Sequence, residues 1–265
     1  MKNRPSQLGL IVEGNTTQSA LLRLHKLGEV LGPVKSTMPS TARRFSNAIR
    51  GGYPVADYEG LQDASLILIR VPDSALSRVV GEVAASGLSL RESAFVLCES
   101  WQGVKALDAL RQKGAHAATI MRLPVDQRDW FVAEGDSKAV RPTRRFLQAQ
   151  GCTVTELNQH GKHFLFASQL LISALPVPLF VAAQQALRES GFSGNLLTNL
   201  MEQMLMRSVR DVMLGAKSRW GGPLLESSEP TVEAHLDALA ALRPEMGAFI
   251  NEQLALARNM MRGKR

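Results

Sequence analysis

The residues of this chain best suited to do chemistry gather at two turns. The first, Val12-Glu13-Gly14-Asn15-Thr16-Thr17, follows an apolar run at residues 8–12. A tight turn after a first strand, opening onto a helix, is the arrangement that holds a pyrophosphate. Of the G-x-G-x-x-G pattern only the central Gly14 is present; Val12 stands for the first glycine and Thr17 for the third. Asn15, Thr16 and Thr17 can offer N–H and hydroxyl donors to a phosphate, and they serve equally as helix caps. Glu13 adds a negative charge beside the expected phosphates, which is unfavourable unless it points away.

The second turn is Ser36-Thr37-Met38-Pro39-Ser40, with Arg43-Arg44 one helical turn further on. A site for the unphosphorylated cofactor usually places Asp or Glu there for the ribose hydroxyls. The hydroxyls of Ser36 and Thr37 with the guanidinium of Arg43 instead suit a 2′-phosphate. A nicotinamide cofactor, if one binds, is therefore expected to be NADP rather than NAD. An ordinary basic helix face accounts for the same residues.

Other chemistry has less support. His160 and His163 are three residues apart and can share a helix face, but no neighbouring Cys or carboxylate pair completes a metal site, so none is expected. Ser100 has neither a nucleophile elbow nor an identifiable base. Trp220-Gly221-Gly222-Pro223 reads as a lid over a cleft or as a plain interhelical turn.

The elements that must position these residues follow from patterning. The chain has 265 residues, 45% hydrophobic and 21% charged, a balance that permits a proper core. Apolar runs at 8–12, 66–71, 94–98 and 117–121 read as buried parallel strands, with further strands at 34–37, 130–133 and 153–157. Helical spacing fills the gaps: residues 20–31 stopped by Gly32-Pro33, a helix capped by Ser40, one opened by Pro72-Asp73, then 102–113 and 137–150. Such alternation implies an α/β fold with a parallel sheet covered on both faces. From about residue 160 no strand signal remains. We therefore expect a Rossmann-like nucleotide-binding domain over 1–157 and an all-helical domain over 158–265.

Net charge is +7, yet the basic residues are scattered, and the 5% aromatic residues do not interleave with them as a stacking platform for nucleic acid requires. The charge suits anionic metabolites. Cys98 and Cys152, far apart in strand-like stretches, read as reduced thiols of a cytoplasmic protein. The N-terminal apolar run is too short for a signal-peptide core. Residues 164–183 are apolar enough for a membrane, but Ser168, Gln169, Ser173, Pro176 and Pro178 favour a buried, bent helix over a bilayer span.

Three stretches together carry a resemblance: Asp63-Ala64 leading to Val71-Pro72-Asp73; Gly114-Ala115-His116 leading to Met121-Arg122-Leu123-Pro124; and Gly222-Pro223 followed by Thr231-Val232-Glu233-Ala234-His235-Leu236. Over residues 8 to 255 the chain resembles bacterial oxidoreductases that join a Rossmann-like domain to a helical C-terminal domain of unknown function. These are distant relatives of pyrroline-5-carboxylate reductase and the β-hydroxyacid dehydrogenases. The resemblance implies a homodimer built on the helical domain, a cofactor passing Val71 and Pro72, and a cleft between the two parts. It also shows departures. Ser100 alone survives of a His-x-Ser-Gly turn, and Met121-Arg122 stands where relatives have His-Pro. Aligned on Ser168-Gln169, the general-acid lysine becomes Leu165; Lys162 and His163, one turn earlier, are the substitutes at hand.

Two functions follow as expectations. One is an NADP-dependent oxidoreductase for a small carbonyl, imine or hydroxyacid, with Arg122 anchoring a substrate carboxylate and Ser100, Ser168 and Gln169 as polar contacts. The other is a catalytically inactive homodimer that binds a partner protein or another anionic ligand.

Overall fold

The apolar run at 66–71 becomes the fourth of eight strands in one sheet, and its period-two alternation explains the layers around it. In the computed structural model, which describes residues 7–15, 19–125, 129–158, 160–214, 224 and 227–262, the strands are β1 (Gln7–Val12), β2 (Leu31–Lys35), β3 (Tyr53–Val55), β4 (Ala64–Arg70), β5 (Ala94–Cys98), β6 (His116–Arg122), β7 (Trp130–Gly135) and β8 (Thr153–Glu156). Their order is β3-β2-β1-β4-β5-β6-β7-β8. All neighbours are parallel except β6 and β7, so the sheet is mostly parallel. Leu66 and Leu68 point into one buried layer and Ile67 and Ile69 into the other. Helices α1 (Leu27–Val30), α2 (Pro39–Ile49) and α5 (Ser137–Ala149) contribute to the first layer. Helices α3 (Asp73–Ala85) and α4 (Asp108–Arg111) contribute to the second.

The first crossover departs from its expected form. Residues 20–31 do not make one helix; a 3-10 turn at Ala20–Arg23 and the four-residue α1 replace it. Gly32-Pro33 does not stop a helix but lies inside β2. Leu31 pairs with Leu8 and Val34 with Leu10, so the register slips by one residue across the Gly-Pro pair. Burial of Leu31 and Val34 against β1 outweighs the local breaker, and the irregularity accommodates the missing proline N–H. Gly28 has its own reason to be glycine: a Cβ there would lie 2.6 Å from the Ile49 carbonyl oxygen at the end of α2.

Other differences are local. Helix α2 starts at Pro39, with Met38 as its cap and Ser40 inside the first turn. The expected helix at 102–113 is a 3-10 turn, Val104–Leu107, running into α4. The edge strand β3 escaped notice because three residues with a central proline carry almost no pattern; an edge position tolerates that proline.

The chain divides into two compact units, Met1–Ser168 and Gln169–Arg265. The second contains α7 (Pro176–Glu189), α8 (Gly194–Met213), α9 (Glu229–Leu242) and α10 (Pro244–Arg262). Helix α6 (Gly161–Gln169) runs into α7 through a π-helical stretch, Leu170–Ala174. Pro176 and Pro178 lack the N–H groups that would continue the α-pattern, and Leu175 N–H reaches back to the Leu170 carbonyl instead.

This long helix corrects one expectation. The sequence pattern favours a buried helix, yet none of the apolar window within Gly161–Glu189 is buried in the chain. Phe164 is 74% exposed and Ile172 75%. By length and composition it is the one described helix able to cross a membrane. Among the described residues of the second unit, Leu197 is the only buried apolar side chain. Residues 220–223, singled out above, lie outside the described residues.

Candidate functional site

In an open parallel sheet, ligands bind beyond the carboxyl ends of the strands, where the strand order reverses. Here that point lies between β1 and β4, and a cavity of about 380 Å³ opens over the ends of β1, β4 and β5. Asn15 lines it from the first turn, Val71, Pro72 and Asp73 from the second, and Glu99, Ser100 and Trp101 from the third.

Each turn has a local cause. Gly14 sits at φ +73°, and a Cβ there would stand 2.8 Å from Cγ of Pro72, so the first turn closes over the second only with glycine. Pro72 caps α3, which puts Asp73 in the first helical turn, where a carboxylate is favoured. Ser100 Oγ donates to Asp73 Oδ1 at 2.6 Å and accepts from Gln102 N–H at 3.0 Å.

Glu99 is the least ordinary residue of the site. It holds φ +59°, a region uncommon for side chains other than glycine. Its carboxylate repays that strain by accepting from Ser19 Oγ at 2.6 Å, Leu21 N–H at 3.2 Å and Arg70 Nε at 3.2 Å. Leu21 N–H belongs to the 3-10 turn after β1, so the protein's own carboxylate takes a donor at the start of that turn.

Lys162 of α6 is only 3% exposed, and its amine feels Asp73 and Cys98 of this cavity's lining. Its Nζ donates to the Gln102 carbonyl at 2.5 Å and to Thr119 Oγ1 at 3.0 Å. Burial pushes its pKa down from 10.5 to about 8, against the pull of the Glu134 and Asp73 carboxylates. Trp101 meets Phe166 of the same helix edge to face, with ring centres 5.1 Å apart. The segment 100–103 is thus tied to α6 by one amine and one aromatic pair. Burial, followed by the Glu99 charge, raises the Cys98 thiol, so it stays protonated.

Beside Gly103, a second cavity of about 530 Å³ is lined by Glu134, Asp136, Asn158, His160 and His163. The two imidazoles stack with centres 6.4 Å apart. Among the described residues no group of three or more His, Cys, Asp or Glu is placed to hold a metal ion.

One residue past β1, the Glu13 side chain is engaged by α3 and by the end of β2. Its carboxylate pairs with Arg78 of α3 at 2.5 Å and accepts from Thr37 Oγ1. Arg78 also pairs with Glu82 at 2.7 Å, and Tyr58 donates its hydroxyl to Glu82 at 2.8 Å. Burial, then the Glu82 contact, pushes the Tyr58 hydroxyl above its ordinary range.

The expected site residues therefore separate. Gly14, Asn15, Val71, Pro72 and Ser100 come together around the first cavity, whose Asp73 charge the Lys162 amine feels; Thr16 and Thr17 lie outside the described residues. Ser36 is buried, its hydroxyl accepting from Met38 N–H, and Arg43 stands exposed on α2 with no hydrogen bond or ion pair among the described residues. The cation beside Thr37 is Arg78, forty-one residues away in sequence. Arg122 is paired with Asp129 at 2.7 Å and with the Val125 carbonyl, so its charge is already answered where it lies. Ser168 bonds back to the Phe164 carbonyl within the helix, Gln169 is half-exposed, and His163 belongs to the second cavity. Arg70, Asp73, Glu99 and Arg78 were missed. The first three stand at or just past strand ends, which was the available signal; Arg78 gave none.

The chain is a Rossmann-like α/β protein, with a mostly parallel sheet and C-terminal helices. Residues 130–255 match a family described as Domain of unknown function (DUF2520), in keeping with the resemblance read from the sequence. A protein of Bacteroides fragilis, provisionally named an NADP oxidoreductase, superposes with a TM-score of 0.70 at 17% identity, over 97% of this chain and 98% of that one. An imine reductase of Aspergillus terreus, in complex with NADPH4 and a dibenzazepine, gives 0.71 at 14% identity over 98% and 95%. An imine reductase of Myxococcus stipitatus with NADP+ gives 0.67 at 14% identity over 97% and 95%. At these identities the likeness is one of fold. A comparison with curated proteins finds no match.

Proposed function

We propose that the chain is an NADP-dependent oxidoreductase acting on a small carbonyl, imine or hydroxyacid. The observation that carries this is the buried Lys162 amine, which feels the charge of Asp73 in the crevice lining and has a pKa of about 8. A general acid works best with a pKa near the working pH. The same fold in two imine reductases holding NADP forms supports the reading.

The groove fits a dinucleotide in part. Gly14 lets the first turn close against Pro72, and that contact sets Asn15 and Pro72 as neighbouring walls of the cavity where a pyrophosphate would lie. When bound, the cofactor supplies the hydride. This chain's residues bind, orient and hold the proton: Lys162 as donor, with Asp73 and Ser100 as polar contacts.

A second reading has its own observation. Glu13 and Glu99 already satisfy the donors that an incoming phosphate would use, as an inactive homodimer binding a partner protein or another anion would allow. The first reading is tested by titrating NADPH and NADH while following nicotinamide fluorescence and melting temperature. A shift of several degrees at saturation is expected with NADPH, because ligand binding stabilises the folded state by mass action. No response to either at millimolar concentration would leave only the inactive reading.

Both readings include a cytoplasmic homodimer without nucleic-acid or membrane partners. The dimer is supported by Ile172, Leu175, Val212 and Met213, which expose 59–81% of their surfaces as apolar side chains that a second copy would cover. Light scattering should give twice the 28.9 kDa chain mass. The double substitution Ile172→Glu with Leu175→Glu should give the single mass. A wild-type monomer, or one sedimenting with lipid vesicles, would refute the dimer.

A further inference from the structure

The geometry points to Glu13 as an internal stand-in for the cofactor's 2′-phosphate, one that holds that phosphate's donors in the free protein and so sets how well the phosphorylated dinucleotide binds. This rests on reading the crevice as a nicotinamide-dinucleotide site.

The ribose end of such a site lies at the end of the second strand. Thr37 is two residues beyond β2, and Glu13 is one residue beyond β1, the strand beside it. Between them a hydroxyl and a guanidinium converge on one carboxylate. Thr37 donates to Oε1, Arg78 Nη2 meets Oε2 at 2.5 Å, and Arg78 Nη1 reaches Thr37 Oγ1 at 3.4 Å. A hydroxyl beside a forked cation is the donor set that recognises phosphate oxygens. A plain surface ion pair would not need the third member from another strand.

Exposure gives the arrangement a direction. The Glu13 side chain is 12% exposed and that of Arg78 46%, so the guanidinium faces solvent while the carboxylate lies beneath it. Arg78 keeps its place through Glu82, itself held by Tyr58. An arriving 2′-phosphate can take Arg78 and Thr37 only by displacing Glu13, and it then stands beside that negative charge. A ribose carrying a 2′-hydroxyl does neither. The basic helix face at Arg43 then has no part in the choice.

The test uses the full chain and two probes, NADPH and NADH, titrated by fluorescence, with adenosine 2′-monophosphate and 5′-monophosphate compared by melting temperature. Glu13→Gln keeps an acceptor for Thr37 and removes the charge. It should tighten NADPH about tenfold or more, and NADH by less than about threefold, because charged hydrogen bonds are released for the ligand. Adenosine 2′-monophosphate should gain over the 5′ isomer in the same variant. Arg78→Met breaks the pair from the other side and should weaken NADPH about tenfold with NADH nearly unchanged; it keeps the question decidable should Glu13→Gln unfold. Equal tightening of both dinucleotides, or an unchanged ratio in a protein that binds them, overturns the role of Glu13 alone. Binding of neither dinucleotide by wild type or variant overturns the cofactor reading and this inference with it.

Discussion

Lys162→Met is expected to lower turnover by about 10²–10⁴, the usual worth of a positioned proton donor, while leaving NADPH affinity within a few-fold. Methionine has nearly the length of lysine and packs in the same slot, but it offers no proton to an alkoxide or amine product. The assay follows NADPH consumption against a panel of small cyclic imines and keto acids. In the direction of reduction the ammonium form is the active one, so the wild-type rate should fall as pH rises through about 8. An unchanged rate in the variant, with any panel member that wild type reduces, would remove Lys162 from the mechanism.

The same amine makes a stability prediction that needs no substrate. Its folded pKa is about 8 and its unfolded value about 10.5, so between those limits the unfolded chain binds more protons. Stability therefore rises with pH across that window, and the penalty of burying the ammonium is fully present below it. The whole shift corresponds to about 3 kcal/mol. Melting curves of wild type should climb relative to those of Lys162→Met from pH 8 to 10.5. Parallel curves would mean that the amine is hydrated and charged throughout.

The second large effect is expected at Gly14. Gly14→Asp should abolish the NADPH response, with no saturation at millimolar cofactor. Three costs coincide there. The residue holds φ +73°, its Cβ would meet Pro72 Cγ at 2.8 Å, and a carboxylate would be added where phosphate must come. Gly14→Ala carries the first two without the charge. It should lose about 1–2 kcal/mol of stability from the strained backbone alone, visible as a lowered melting temperature. If Gly14→Asp binds NADPH as wild type does, the crevice at β1 and β4 is not the dinucleotide site.

Much of this architecture was legible in the sequence because it depends on local pattern. The runs in β1, β4, β5 and β6 are almost wholly apolar, with Thr119 in β6 and Arg70 at the end of β4 as the exceptions, as suits strands buried on both faces. Helix α5 and the loss of strand signal after residue 160 declared themselves by periodicity alone. The place of the turn at Glu13–Asn15 followed from the strand before it. What failed was whatever depended on a partner distant in sequence. Gly32-Pro33 looks like a helix stop until burial of Leu31 and Val34 against β1 draws it into a strand. Residues 164–183 look like core, and only the folded chain shows their side chains left bare.

The chemistry divides along the same line. Composition and spacing determined an α/β chain with a degenerate glycine turn, a candidate lysine and a carboxylate that had to point somewhere. Only the tertiary structure decided where Glu13 points, since its partners are Thr37 and Arg78, brought together by β2 and α3. It likewise decided that Lys162 is buried on Gln102 and Thr119 rather than solvated at the start of a helix. A pKa and an ion pair are properties of surroundings, and those surroundings exist only once the strands are side by side.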